Sequence, residues 1–170
     1  MSKQFDVAAL GEAMLEFNQT GRGQPRYLQG FGGDTSNVVI AAARSGARAA
    51  YISRIGSDSF GERLLELWAT EGVNTQAVER DAAAPTGIYF VTHGASGHEF
   101  SYLRAGSAAS RMTPAWLLEG PASATIASAK FLHVSAISLA ISTSACDTAF
   151  AAMRLARSGG AQVARPEDET

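Results

Sequence analysis

The stretch GFGGDTSN, Gly30–Asn37, sets three glycines against an acid, two hydroxyls and an amide. It runs directly into VVIAAARSG, a segment of helical periodicity that stops at Gly46, a residue type suited to a helix C-terminus. A glycine loop at a helix start lets backbone approach a ligand closely, and three uses compete for it. Gly30-x-Gly32 opens like a dinucleotide turn, but Thr35 stands where the third glycine belongs and no long strand leads into the loop. A tight turn at Gly32 and Gly33, with Asp34 or Thr35 capping the helix, is the purely structural use. In the third, Asp34 and Asn37 lie side by side on the first helical turn. A carboxylate that accepts and an amide that both donates and accepts suit a polyol. The Gly-Lys-Ser/Thr tripeptide of a phosphate loop does not occur in the chain.

Outward from this loop the chain alternates between strand and helix patterns. FDVAALG, Phe5–Gly11, is a short apolar run that reads as a buried strand, and RAAYISRIG, Arg48–Gly56, is the next. SFGERLLELWATEG places Leu64, Leu65, Leu67 and Trp68 on one helical face and ends at Gly72. After Pro85, TGIYFVTH and HEFSYLRA alternate polar and apolar residues around GASG, the pattern of a β-hairpin. MTPAWLLEG offers Thr113 as N-cap and Pro114 at the first helical position. KFLHVSAIS reads as another buried strand. STSACDTAFAAMRLARSGG reads as a helix with Arg154 and Arg157 near its C-terminal end, where cations are favoured. GGAQVA opens one more strand and gives way to the polar RPEDET. The alternation predicts an α/β fold, a parallel sheet covered by helices with a small β excursion at the hairpin.

Composition narrows the function classes. The 170 residues are 46% hydrophobic and 18% charged with net charge −2, enough chain to bury roughly two-thirds of its unfolded surface. No Lys/Arg cluster marks a nucleic-acid partner, and the single Cys146 gives no disulfide framework. The longest apolar candidate, FLHVSAISLAIS, falls short of the ~18 residues of a membrane span. These features predict a cytoplasmic protein with neither a nucleic acid nor a membrane as partner. His93 and His98 flank the hairpin turn and His133 sits in an apolar run, so no metal-ligand spacing appears. Asp58 reads as a cap or turn residue.

The run GFGGDTSNVVIAAARSGARAAYISRIGSDSFG resembles the N-terminal signature of the ribokinase-like (PfkB) carbohydrate kinases. The shared elements are a glycine pair followed by Asn, a helix ending in Gly, and the Ile55, Gly56, Asp58, Phe60, Gly61 element. ALGEAMLEF resembles the first strand of that family. The resemblance implies a three-layer sandwich with a mainly parallel sheet and a β-hairpin lid, whose strands lie mainly at 14–32 and 86–105. It covers residues 1–163, the substrate-binding part of a kinase domain, and leaves 164–170 as a polar tail outside the family pattern. Within the family, GGDTSN, the pair GIYFVTH and HEFSYLRAGSAAS, and FLHVSAISLAIS are similar to the 2-keto-3-deoxygluconate kinases.

Elementary geometry agrees at one point. Tyr102 and Arg104 are two apart in a strand and face the same side, and a phenol beside a guanidinium can bind a carboxylate. The alternative for Arg104 is a solvated hairpin charge. The resemblance implies a substrate site made of Gly33, Asp34, Asn37, Tyr89, Tyr102, Arg104, Ser107, Ile137 and Glu16. For Tyr89 the alternative is a packed hairpin aromatic, and for Ile137 it is core burial. Ser107 is expected to contribute through backbone, and Glu16 as an acid that grips hydroxyls. A homodimer paired through the lid is also implied.

The same resemblance implies ATP and Mg²⁺ as cofactors, and a catalytic base in a Gly-Ala-Gly-Asp motif. Arg104-Ala105-Gly106-Ser107 comes nearest and has no acid, so the chain supplies no catalytic residue. No Phe-Asp-x-Asn-x-Arg strand follows GGAQVA, so most ATP-binding positions are missing too. These absences predict a C-terminally truncated kinase chain, inactive as 170 residues alone. The alternatives are a non-catalytic remnant that binds sugar or dimerises, and a kinase for another sugar such as fructose. A nicotinamide oxidoreductase would require NAD binding, which is not expected.

Overall fold

The computed structural model describes residues 3–164. Five strands form an all-parallel sheet in the order β5 (Asn74–Asp81), β4 (Ala49–Gly56), β1 (Phe5–Leu10), β8 (Ala129–Val134), β9 (Gln162–Ala164). β1 lies in the middle because it is apolar on both faces: Ala8, Ala9 and Leu10 have no exposure at all. Alternate residues then feed two separate cores. Ala8, Leu10, Ala50, Ile52 and Leu132 pack against helices α3 (Pro114–Glu119), α4 (Pro121–Ala127) and α6 (Thr143–Ser158). Ala9, Tyr51 and Ile55 pack on the other face against α1 (Asp34–Arg44) and α2 (Ser59–Thr70), chiefly through Val39, Leu64 and Trp68. Helix, sheet, helix gives the three layers expected of a ribokinase-like α/β fold.

A second sheet of four strands has the order β3 (Tyr27–Gly32), β2 (Met14–Gln19), β6 (Ile88–Gly94), β7 (Gly97–Leu103). β2 and β6 run parallel while both outer pairs are antiparallel. The β6–β7 hairpin closes through Ala95 and Ser96, with Gly94 opposite Gly97. Asp58 ties this sheet to the main body. Its carboxylate caps α2 by accepting from Gly61 N at 2.8 Å and also accepts from the Thr86 backbone N and hydroxyl, each at 2.8 Å. Partial burial opposes ionisation there, yet the hydrogen bonds from Thr86 and Gly61 hold the Asp58 carboxyl below its ordinary value.

Several segments differ from the sequence reading: ALGEAMLEF, expected as the first strand, divides between β1 and β2 in different sheets, and Asn74–Asp81, left without an element, forms β5. The run KFLHVSAIS is not one strand: β8 ends at Val134 and the short helix α5 (Ala136–Ala140) follows. The reason is local, since the Ser135 side chain accepts from Ser138 N at 3.2 Å and so caps a helical turn. PASATIA, for which the sequence reading assigns no element, forms α4 with Pro121 in its first turn. Of the proposed 164–170 tail, Ala164 closes β9 and residues 165–170 lie outside the described residues.

Candidate functional site

Parallel α/β sheets bind ligands beyond the carboxyl ends of their strands, where strand order reverses. Here the reversal is at β1, with β4 on one side and β8 on the other. Gly11 follows β1, and a side chain at that position would overlap the Thr35 and Ser138 hydroxyls. Its absence lets α1 and α5 start close together at the strand end. The Ser53 hydroxyl donates to Gly11 O at 2.7 Å and the Ser138 hydroxyl to Leu10 O at 3.2 Å, which fixes the turn. Gly33 then takes φ 117°, a conformation L side chains rarely adopt, and a Cβ there would come within 2.6 Å of Glu12 O. Gly33 is also the N-cap of α1 and makes no side-chain cap bond. Asp34 therefore does not cap the helix; its Oδ1 accepts from Thr35 N at 2.8 Å.

A cleft of about 140 Å³ opens over this turn, small beside the ~300–1,000 Å³ typical of drug-sized ligands. Six of the residues expected in a substrate site line it together: Gly33, Asp34, Tyr89, Tyr102, Arg104 and Ile137. Tyr89 and Tyr102 face each other across the β6–β7 register and stack with ring centroids 5.5 Å apart. Ile137 is 52% exposed on α5, so it belongs to the cleft wall and not to the core. Tyr89, by contrast, is only 9% exposed and packs with Met14 and Val91 as well as lining the cleft.

The other three expected residues lie elsewhere. Asn37 is exposed on α1 and does not line the cleft. Ser107 is buried behind it and its hydroxyl donates to Glu12 at 2.6 Å. Glu16 stands behind Tyr89, whose hydroxyl donates to it.

Glu12, Met14, Phe100 and Ser138 also line the cleft and are absent from the sequence expectation. Glu12 matters most. Its side chain is 2% exposed and pairs with Arg104 at 2.5 Å, so Arg104 is not a solvated hairpin charge. Burial raises the Glu12 carboxyl above its ordinary value of 4.5, while Ser107 and Arg104 act to lower it. The one signal in the sequence is a carboxylate directly after the Gly11 strand end, four residues before Glu16.

This donor set can grip a small molecule bearing hydroxyls and an anionic group: one guanidinium, two carboxylates and stacked phenols. Among the described residues no three His, Cys, Asp or Glu converge to hold a cation. His93 and His98 meet edge to face with centroids 4.7 Å apart, and burial holds the His133 imidazole below its ordinary value. Among the described residues no helix is long and apolar enough to cross a membrane.

The pfkB family carbohydrate kinase model matches residues 4–169. The chain belongs to that family. A 2-dehydro-3-deoxygluconokinase from Thermoproteus tenax is 38% identical over 82% of this chain and 44% of its own length. Fructokinase-2 from Solanum habrochaites is 35% identical over 91% of the chain and 48% of its own length. The crystal structure of a PfkB protein from Polaromonas sp. JS666 superposes with TM-score 0.88 at 33% identity, covering 95% of this chain and 55% of that one. A fructokinase from Xylella fastidiosa, solved with bound ATP, gives TM-score 0.84 at 26% identity. This PfkB chain thus spans about half the length of the curated relatives it matches.

Proposed function

We propose that this chain is the substrate-binding part of an ATP-dependent carbohydrate kinase whose acceptor is a sugar acid, most simply 2-keto-3-deoxygluconate phosphorylated to its 6-phosphate. The observation that carries this reading is Arg104. Its guanidinium lines the cleft between Tyr102 and the buried Glu12, and a guanidinium keeps further donors for a carboxylate after one ion pair. A neutral sugar has no group that needs such a cation. Asp34 and the Gly33 backbone then face the hydroxyl-bearing part of the sugar, and the Tyr89–Tyr102 stack supplies an apolar wall for its ring or chain. The cleft contains no Gly-Ala-Gly-Asp base, so binding is the property to measure, and no turnover is expected from these 170 residues alone.

The second reading, a fructose acceptor, is favoured by the 35% identity to a fructokinase. Calorimetry on the 170-residue chain separates the two. The sugar acid is expected to bind the wild type more tightly than fructose does, and Arg104→Ala is expected to erase that preference. Equal affinity of wild type and Arg104→Ala for the sugar acid would remove Arg104 from the site, and tighter binding of fructose would select the second reading.

A further inference from the structure

Glu16 was expected to grip sugar hydroxyls, yet it does not line the cleft. It lies directly opposite Gly30 on β3 and opposite Tyr89 on β6. The Tyr89 hydroxyl donates to Glu16 Oε2, and Asn18 Nδ2 donates to Glu16 Oε1 at 3.3 Å. Asn18 Oδ1 in turn bonds His93 Nε2 at 3.1 Å, so the hydrogen bonds run from the hairpin end to the cleft wall.

The glycines of the opening loop fit this group closely. A Cβ at Gly32 would overlap the Tyr89 hydroxyl, and one at Gly30 would stand 3.4 Å from Glu16 Oε1. Gly32 therefore makes room for the tyrosine, a side chain at Gly30 would meet Glu16 only in ordinary contact, and Gly33 alone of the three lines the cleft.

We propose that Glu16 is a positioning residue: it holds the Tyr89 hydroxyl in the recess left by Gly32 and so fixes the aromatic wall of the cleft. That this wall meets a sugar rests on the function proposed above; that Glu16 sets Tyr89 does not. With the hydroxyl anchored on one side, the Tyr89 ring is stacked on Tyr102 and itself lines the cleft, so Glu16 acts on any ligand through one intervening side chain. Burial first, and the hydrogen bond to Glu16 second, raise the Tyr89 phenol above its ordinary value, consistent with a neutral donor held by a carboxylate.

Two measurements test this. Ring-labelled tyrosine NMR at neutral pH, with Tyr89 assigned from Tyr89→Phe, reads the phenol directly. Glu16→Gln is expected to displace the Tyr89 Cζ resonance and leave that of the distant Tyr51 in place; an unmoved Tyr89 resonance overturns the proposal. Calorimetry with 2-keto-3-deoxygluconate reads the consequence. Glu16→Ala is expected to bind roughly tenfold more weakly, whereas Glu16→Gln, which keeps an acceptor oxygen, is expected to stay within about threefold of wild type. Wild-type affinity in Glu16→Ala overturns the positioning role. If wild type binds no sugar acid, the functional reading falls and the resonance alone decides the place of Glu16. If Glu16→Ala fails to fold, the Glu16→Gln resonance decides it in the same way.

Discussion

The two sheets of this molecule solve opposite problems. In the five-stranded sheet, β4 shows only one residue, Arg54, that is not buried, and helices cover both faces. In the four-stranded sheet, β7 is exposed along its whole length, with Phe100, Tyr102 and Leu103 each more than half exposed. One sheet is buried because its apolar residues fall on both faces. The other keeps aromatics in the open on one face, and that face supplies Tyr89, Phe100 and Tyr102 to the cleft. Burial is thus concentrated in the first sheet and exposed aromatics in the second, with the cleft where they meet.

The comparison can be broken most directly in the core. Trp68 is fully buried, and its indole N–H donates to the Ser36 hydroxyl at 2.9 Å. Trp68→Ala is expected to destabilise the chain by about 3–5 kcal/mol, read from the shift of the urea midpoint. A loss under about 1 kcal/mol would mean that α2 does not anchor the first sheet. At the junction, Arg104→Ala is expected to cost about 2–3 kcal/mol of sugar-acid affinity, measured by calorimetry. A conservative Arg104→Lys should recover only part, because an ammonium lacks the planar fork.

A smaller effect is expected from Glu12→Gln, and it appears as a pH dependence. The folded Glu12 carboxyl titrates above its ordinary value of 4.5. Folding therefore takes up a proton just above that pH, and this group's contribution to stability is full below it and is lost as pH rises through the folded value. Denaturant midpoints of wild type should fall relative to Glu12→Gln across that window; parallel curves would show that Glu12 is not held in a desolvated place. The smallest effect is expected on β7. Phe100→Ser should change stability by no more than about 0.5 kcal/mol, while weakening sugar-acid binding. A large loss of stability would show that the second sheet is as integral to the core as the first.

Much of this organisation was legible in the chain. Helix ends marked by Gly46 and Gly72, the Thr113–Pro114 start and the GASG hairpin all depend on residues adjacent in sequence, and each lies where those local signals place it. Tyr102 and Arg104 line one cleft as strand alternation predicts, although β7 ends at Leu103 and Arg104 lies just beyond it. KFLHVSAIS misled for the same local reason, since an apolar run carries no sign of where a serine will cap a turn.

The sequence by itself determined the alternation of elements, the family signature and most of the residues that meet in the cleft. The tertiary structure alone decided what those residues do to one another. Glu12 and Ser107 are hydrogen-bonded across 95 residues of chain, and Tyr89 and Glu16 across 73. No spacing rule links such pairs, because the order of strands in two sheets, and not their order along the chain, brings them together. GFGGDTSN shows both halves of this. Its glycines announce a close approach, but only the packed second sheet reveals that Gly32 admits Tyr89 while Gly33 turns the chain toward the cleft.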